Sequence, residues 1–303
     1  MITVVGSFNM DLFVEAPRFP KPGEAILGKN FRRAPGGKGA NQAYTIARIG
    51  MQAAIVGAVG KDAFGDEMLA NLQSVGVDTS GVARRLDVAS GVGMVTLDAS
   101  GQNQIVVANG ANDTVTAEEI LKQVELFRKS RAVVVQLETP IAAVEATLRL
   151  GRELGAITVL NPAPFAVVTD ELLSFCDWII PNENEAEKLT GVEVRDSDSV
   201  QVAAKALKER SGCKNILITL GANGVWLDTP EATCHIKGFA VQAVDTVGAG
   251  DTFIGAFVTR LVEGADAKEA AQFGCAAAAI AVTRRGAQAS VPTRKEVEAL
   301  LKY

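Results

Sequence analysis

Residues 132–160 read Ala132-Val-Val-Val-Gln-Leu137, then Glu138-Thr-Pro140, then a run beginning at Ile141, then Ile157-Thr-Val-Leu160. The first run is apolar nearly throughout, as a strand buried on both faces must be. After Thr139-Pro140, the apolar residues Ile141, Val144 and Leu148 recur at helical spacing, and Ile157–Leu160 returns to a short β-branched run. Strand, helix and strand over about thirty residues form a parallel crossover unit.

Outward from this unit the alternation repeats. Ile2–Val5, Asp177–Ile180 and Ile216–Thr219 read as further buried strands. Helix ends are legible between them: Thr116-Ala-Glu-Glu119 is a capping box, Ser197 and Asp198 open a helix, and Gly191 and Gly212 stand where helices stop. The expected fold class is α/β: a single domain over residues 1–303, with a central mostly parallel sheet flanked by helices on both faces. Two stretches break the rhythm. Residues 11–34 and 88–108 alternate with the two-residue period of strands, and Asp98-Ala-Ser-Gly101 reads as a hairpin turn. Without crossover helices they predict a small antiparallel layer, either a lid over a ligand or an edge extension of the main sheet.

Composition excludes several classes. The chain is 48% apolar and 21% charged with a formal charge of −5, and its basic residues come only in isolated pairs such as Arg32-Arg33 and Arg284-Arg285. A nucleic-acid binder needs a basic stripe that is missing here. Cys176, Cys213, Cys234 and Cys275 are scattered, and the lone His235 cannot build a zinc set or a histidine-based triad. The first residues run into a strand rather than a signal peptide, and Ala270–Thr283 is too short to span a bilayer. A cytoplasmic protein with no membrane partner is expected.

In open α/β sheets, ligands bind beyond the carboxyl ends of the strands. Asn9 with Asp11, Glu138, Asn161, Asn182 and Gly221 follow successive strands and imply one cleft along one edge. Any one of them alone could simply cap a helix. The sharpest local signal is Asp245-Thr-Val-Gly-Ala-Gly-Asp251-Thr252, in which Gly248-Ala249-Gly250 leads into a helix faced by Phe253, Ile254, Phe257, Val258, Leu261 and Val262. Bare N–H groups and the positive end of the helix dipole suit a phosphoryl group there. Asp251 beside them is placed to take a proton from an attacking hydroxyl; the simpler reading, a plain N-cap, does not require Gly-Ala-Gly before it. Because the phosphoryl-transfer transition state is loose, positioning and charge stabilisation by Gly248, Ala249, Gly250 and Asp251 would carry the catalysis. Gly36-Gly-Lys-Gly-Ala-Asn41 departs from a P-loop, since Lys38 is followed by Gly39. Its Lys38 and Asn41 suit a polyol.

In order and across essentially the whole chain, Gly6–Asp11, Gly36–Asn41, Leu137-Glu138, Asn161–Pro164, Pro181–Glu185, Thr219–Gly221, Asp245–Asp251 and Ala276–Gln288 resemble the motifs of the ribokinase-like carbohydrate kinases. The resemblance implies a ribokinase-like fold and an enzyme that moves the γ-phosphate of ATP to O5 of D-ribose, with Asp251 as base. It implies sugar contacts from Asn9, Met10, Asp11, Gly37, Lys38, Gly39, Ala40, Asn41 and Glu138. Asn182, Thr219, Leu220, Gly221, Ala222, Asn223, Gly224, Gly250, Asp251 and Cys275 would line the nucleotide. Glu185 would serve Mg2+ through water, and Asp245, Val247, Ala281, Arg284, Gly286 and Ser290 a K+ ion that braces the anion-hole loop. A homodimer through the lid is implied as well. Cys275 departs from the Asn or His usual beside adenine, and a thiol cannot make the same hydrogen bonds.

Competing readings are a kinase for 2-deoxyribose, fructose or adenosine, and a catalytically inactive sugar-binding protein. Asp251 behind an intact Gly-Ala-Gly argues against the last of these. No G-x-G-x-x-G follows the first strand, which disfavours a dinucleotide-dependent oxidoreductase.

Overall fold

The computed structural model describes residues 1–100 and 102–302, so Gly101 of the expected hairpin turn lies outside the described residues. The strands, in chain order, are β1 (Ile2–Val5), β2 (Asn9–Glu15), β3 (Lys29–Gly36), β4 (Ala53–Gly60), β5 (Asp78–Arg85), β6 (Gly91–Leu97), β7 (Asn103–Ala108), β8 (Ala132–Val135), β9 (Ile157–Leu160), β10 (Trp178–Ile179), β11 (Asn215–Thr219), β12 (Val225–Asp228) and β13 (Thr233–Ile236). The main sheet has the order β13-β12-β11-β10-β9-β8-β1-β4-β5 and is parallel except where β12 runs against both neighbours.

Alternation along β8 shows why helices cover both faces. Val133 and Val135 pack with Val144 and Leu148 of the helix Ile141–Glu153, while Val134 points into a second core with Phe253 and Phe257. Each such fully buried side chain contributes roughly 1.5–3 kcal/mol. The strand is shorter than its apolar run, because the Leu137 N–H leaves the ladder to bond Ala163 O at 3.0 Å. The capping box at Thr116 and Glu119 is present, and Gly191 and Gly212 end their helices in the left-handed conformation. The helix expected to open at Ser197 and Asp198 does so, running Ser197–Ser211. Asp196 is its N-cap, accepting from Ser199 N at 2.9 Å.

The lid is the second sheet, β3-β2-β6-β7. Its outer pairs are antiparallel, as the two-residue period predicts, but the join between β2 and β6 is parallel. The reason is that β1 and β5 lie parallel in the main sheet, so β2 and β6 leave it in the same sense. The strand period also fails over residues 16–28, which carry no regular element; Pro17, Pro20 and Pro22 each lack the N–H a ladder needs. Among the described residues no helix is long and apolar enough to cross a membrane.

From β1 the chain runs outward to β4 and β5, then returns to β8 on the other side of β1. The crevice beyond the carboxyl ends of β1 and β8 is therefore the topological switch point, where sheets of this kind bind ligands.

Candidate active site

Three segments meet at that crevice: the exit of β1, the exit of β8 and the start of the helix Lys38–Arg48. Gly37 caps this helix with φ 89°, and a Cβ there would stand 2.7 Å from Asn9 N and Ser7 O. Only glycine allows so close an approach. Lys38 N donates to Glu138 Oε2 at 3.0 Å, and Ser7 Oγ donates to the same oxygen. Asn112, wholly buried, donates to Asn9 Oδ1 and Phe8 O, both at 2.9 Å. The Asp11 carboxylate fits between Gly36 and Gly93, where a Cβ would come within 2.3 and 2.4 Å of its oxygens. Alternation sends Met10 the other way, and its side chain, like that of Ala40, belongs to the core.

Charge is concentrated here. Burial, then Glu138 and Asp251, push the Asp11 pKa up to about 7, with Arg32 opposing. Burial disfavours the Lys38 ammonium, but Asp251, Glu138 and Glu185 together outweigh it and hold the pKa above the ordinary lysine value. Glu185 is raised by its own burial.

Asp251 lies inside the first turn of the helix Ala249–Glu263, so it is not the N-cap; left-handed Gly248 is. Its Oδ2 accepts from Asn41 Nδ2 at 2.9 Å and its Oδ1 from Gln42 Nε2 at 3.0 Å. The Ala249 N–H turns back to Thr246 O at 3.2 Å, whereas those of Gly250 and Asp251 have no partner among the described residues. A Cβ on Gly250 would meet nothing within 4 Å, so space lies open beside these donors.

Along the cleft, Thr219 bridges to Asn182, and Gly221–Asn223 form a short 3₁₀ turn closed by Leu220 N on Gly224 O at 2.8 Å. Asn182 and Glu185 are partners in a capping box, Asn182 Oδ1 accepting from Glu185 N at 2.8 Å and Glu185 Oε2 from Asn182 N at 2.9 Å. Cys275 is buried in the helix Ala267–Ala281, and burial pushes its thiol up to about 12. Asp245 ties two loops together: its Oδ1 accepts from Val247 N at 3.1 Å and its Oδ2 from Gly286 N at 2.9 Å. The Arg284 guanidinium is engaged by Glu296 at 2.5 Å, and Ser290 Oγ donates to Ala287 O at 2.8 Å.

Metal chemistry can be judged from these donors. Among the described residues no group of three or more His, Cys, Asp or Glu could hold a metal ion. Mg2+ commonly rides on nucleotide phosphates with one or two carboxylates and waters, and the buried Glu185 is a carboxylate of the kind such an ion takes. The tied loops at 245–247 and 281–290 offer carboxylate and carbonyl oxygens, the donors a hard cation takes.

Ser7, Gln42, Asn112, Gln136 and Gln288 were not legible as site residues. Ser7 and Gln288 stand inside the motifs Gly6–Asp11 and Ala276–Gln288 and Gln42 directly follows Gly36–Asn41, whereas Asn112 and Gln136 lie outside every motif, so only position beside a motif could have pointed to the first three.

Residues 1–294 match the pfkB family carbohydrate kinase profile. The chain is 44% identical to the ribokinase of Haemophilus influenzae, over all of this chain and 98% of that one. It is 36% identical to the deoxyribokinase of Salmonella typhi, over 96% of this chain and 95% of the relative. The structure of Arabidopsis thaliana ribokinase complexed with ribose and ATP superposes with a TM-score of 0.95 at 33% identity, covering 100% of this chain and 98% of that one. With its motifs, its sheet order and a family match over nearly its full length, the chain belongs to the pfkB family of carbohydrate kinases.

Proposed function

We propose that the chain transfers the γ-phosphate of ATP to O5 of D-ribose in the cytoplasm, giving D-ribose 5-phosphate and ADP. One observation carries the reading. The Asp251 carboxylate is held by Asn41 and Gln42 at an open helix N-terminus, within electrostatic reach of Lys38 and Asp11. Likeness to the ribokinases of Haemophilus influenzae and Arabidopsis thaliana, the latter with ribose and ATP bound, supports ribose as the acceptor.

In this mechanism Asp251 accepts the proton of the 5-hydroxyl as that oxygen attacks the γ-phosphorus. The bond from γ-phosphorus to the bridging β-phosphate oxygen breaks, and ADP leaves with the electron pair. Free N–H groups of Gly250 and Asp251 meet charge developing on the phosphoryl oxygens. Asn9, Asp11, Lys38, Asn41 and Glu138 orient the sugar, and the segments at Asn182, Thr219–Gly224 and Cys275 line the nucleotide. Glu185 would serve Mg2+ through water, and the ion when bound would neutralise phosphate charge. Asp245, with carbonyls of Val247, Ala281, Arg284 and Gly286 and with Ser290, would hold K+ and brace the loop carrying Gly248–Gly250.

The same reading includes a homodimer through the lid. Phe31, Met94 and Val106 are 66%, 60% and 68% exposed. β7 is an edge strand, and an apolar edge of this kind invites pairing with a second copy.

A second acceptor, 2-deoxyribose, is favoured by likeness to the Salmonella typhi deoxyribokinase. It lacks one hydroxyl, and a site bonded to that group rejects the analogue strongly. An ADP-release assay with ATP and Mg2+ against ribose, 2-deoxyribose, fructose and adenosine tests both. Ribose should turn over fastest, and replacing K+ by an inert organic cation should slow it. Fastest turnover on 2-deoxyribose would reassign the acceptor, and no turnover on any of the four would overturn the kinase reading.

A further inference from the structure

Behind Asp251 lies a set of mostly buried side-chain amides, of which the mechanism above uses only Asn41. They form two chains. In the first, Asn71 Nδ2 donates to Gln288 Oε1, Gln288 Nε2 to Asn41 Oδ1 at 3.1 Å, and Asn41 Nδ2 to Asp251 Oδ2 at 2.9 Å. In the second, Gln136 Nε2 donates to Gln42 Oε1 at 2.6 Å, and Gln42 Nε2 donates to Asp251 Oδ1 at 3.0 Å and to Asn161 Oδ1 at 3.2 Å. Gln42 is 0% exposed and Gln136 1%.

In both chains the NH2 ends point toward Asp251, so each carboxylate oxygen terminates a polarised run of donors. An amide has one donating and one accepting end. Turned over, Gln42 would set its oxygen against Asp251 Oδ1 and Asn161 Oδ1, leaving buried acceptors without a proton. Gln136 prevents that by donating to Gln42 Oε1, and its own Oε1 is left without a partner. A buried amide that forgoes one of its bonds is a poor way to fill space, since an apolar side chain would do so without the desolvation penalty. Asp251 acts electrostatically on Lys38, Asp11 and Glu185. Neutral amides fix the plane of the carboxylate among them without adding a further charge.

We propose that Gln42 is a positioning residue for Asp251 and that Gln136 acts through it, keeping the carboxylate aimed at the acceptor hydroxyl. This rests on Asp251 being the base. The test uses the full-length protein with Gln42→Met, Gln136→Met, the double variant and Asp251→Asn, measuring kcat, the KM for ribose, the pH profile of kcat and thermal melting. Gln42→Met should lower kcat about tenfold to a hundredfold and leave KM within about threefold. Its acid limb should move to higher pH, because a donor to the ionised form is gone. Gln136→Met should shift kcat and the limb the same way by less, and the double variant should be no worse than Gln42→Met.

Turnover surviving in Asp251→Asn would instead remove the base assignment. An inactive Asp251→Asn beside Gln42→Met and Gln136→Met with wild-type kcat and acid limb would overturn the positioning role alone. So would additive losses in the double variant, or losses of kcat matched by rises in KM. Should Gln42→Met show no cooperative melt, Gln136→Met decides: an unchanged kcat and limb there overturns the proposal.

Discussion

β4 is buried at all 8 of its residues, whereas β7, with 6, is exposed at every one. The main sheet is covered by helices on both faces, so its inner strands such as β1, β4 and β8 are apolar in both directions and its position is set by two cores. The lid is a single layer with little to bury, held mainly by its ladder and by the strands that feed it. The candidate site straddles the two. Lys38, Glu138 and Asp251 stand on the framework, while Asn9 and Asp11 open the lid strand β2. Asp251 and the open helix start beside it thus take their position from the cores, while Asn9 and Asp11 take theirs from the seam with the lid.

The largest expected effect contrasts one aromatic from each region. Phe257 is fully buried, edge-on to Trp178 at 4.9 Å and stacked with Phe253 at 5.8 Å, in the helix that carries Asp251. Phe257→Ala should lower unfolding free energy by about 3–5 kcal/mol in urea titrations. Phe31→Ala in the lid should change it by no more than about 0.5 kcal/mol. Similar losses at both positions would break the comparison.

Asp11, at the seam, gives a smaller, pH-dependent effect. Its pKa is lifted from 3.8 to about 7 by burial first and by Glu138 and Asp251 next. The folded state then holds this proton more tightly than the unfolded chain, so stability falls as pH rises through the window from 3.8 to about 7. Asp11→Asn removes that loss. The ligand-free variant should gain on wild type between about pH 4 and pH 8, most of it by pH 7. A stability difference that stays constant across that range would show that ionisation of Asp11 is not its source.

The smallest effect on folding is expected at the lid edge. Val106→Lys, at a position 68% exposed, should leave protomer stability within about 0.5 kcal/mol of wild type. Sedimentation velocity should show it as a monomer. A variant that remains dimeric would place the contact elsewhere.

Much of the framework was legible before any coordinates. The βαβ unit at 132–160, the capping box at Thr116 and the terminal glycines Gly191 and Gly212 all rest on interactions within a few residues, which is the range over which period and capping chemistry act. The succession of polar strand exits was legible for the same reason. The lid was half legible: period two identifies strands and hairpins but carries no information on how two hairpins join, and the three prolines outweighed it over residues 16–28.

What the sequence by itself determined is the set of elements, their order and the glycine-rich turns that leave room for a ligand. Tertiary structure decided which polar groups face one another. Gln42 meets Gln136 across 94 residues, Asn41 meets Gln288 across 247, and Asp251 meets Asn41 across 210. Apolar burial repeats along the chain because it answers to the local twist of a helix or strand. A buried hydrogen bond answers only to whichever donor the closed fold brings within reach, and that is settled when the sheet and its two cores come together.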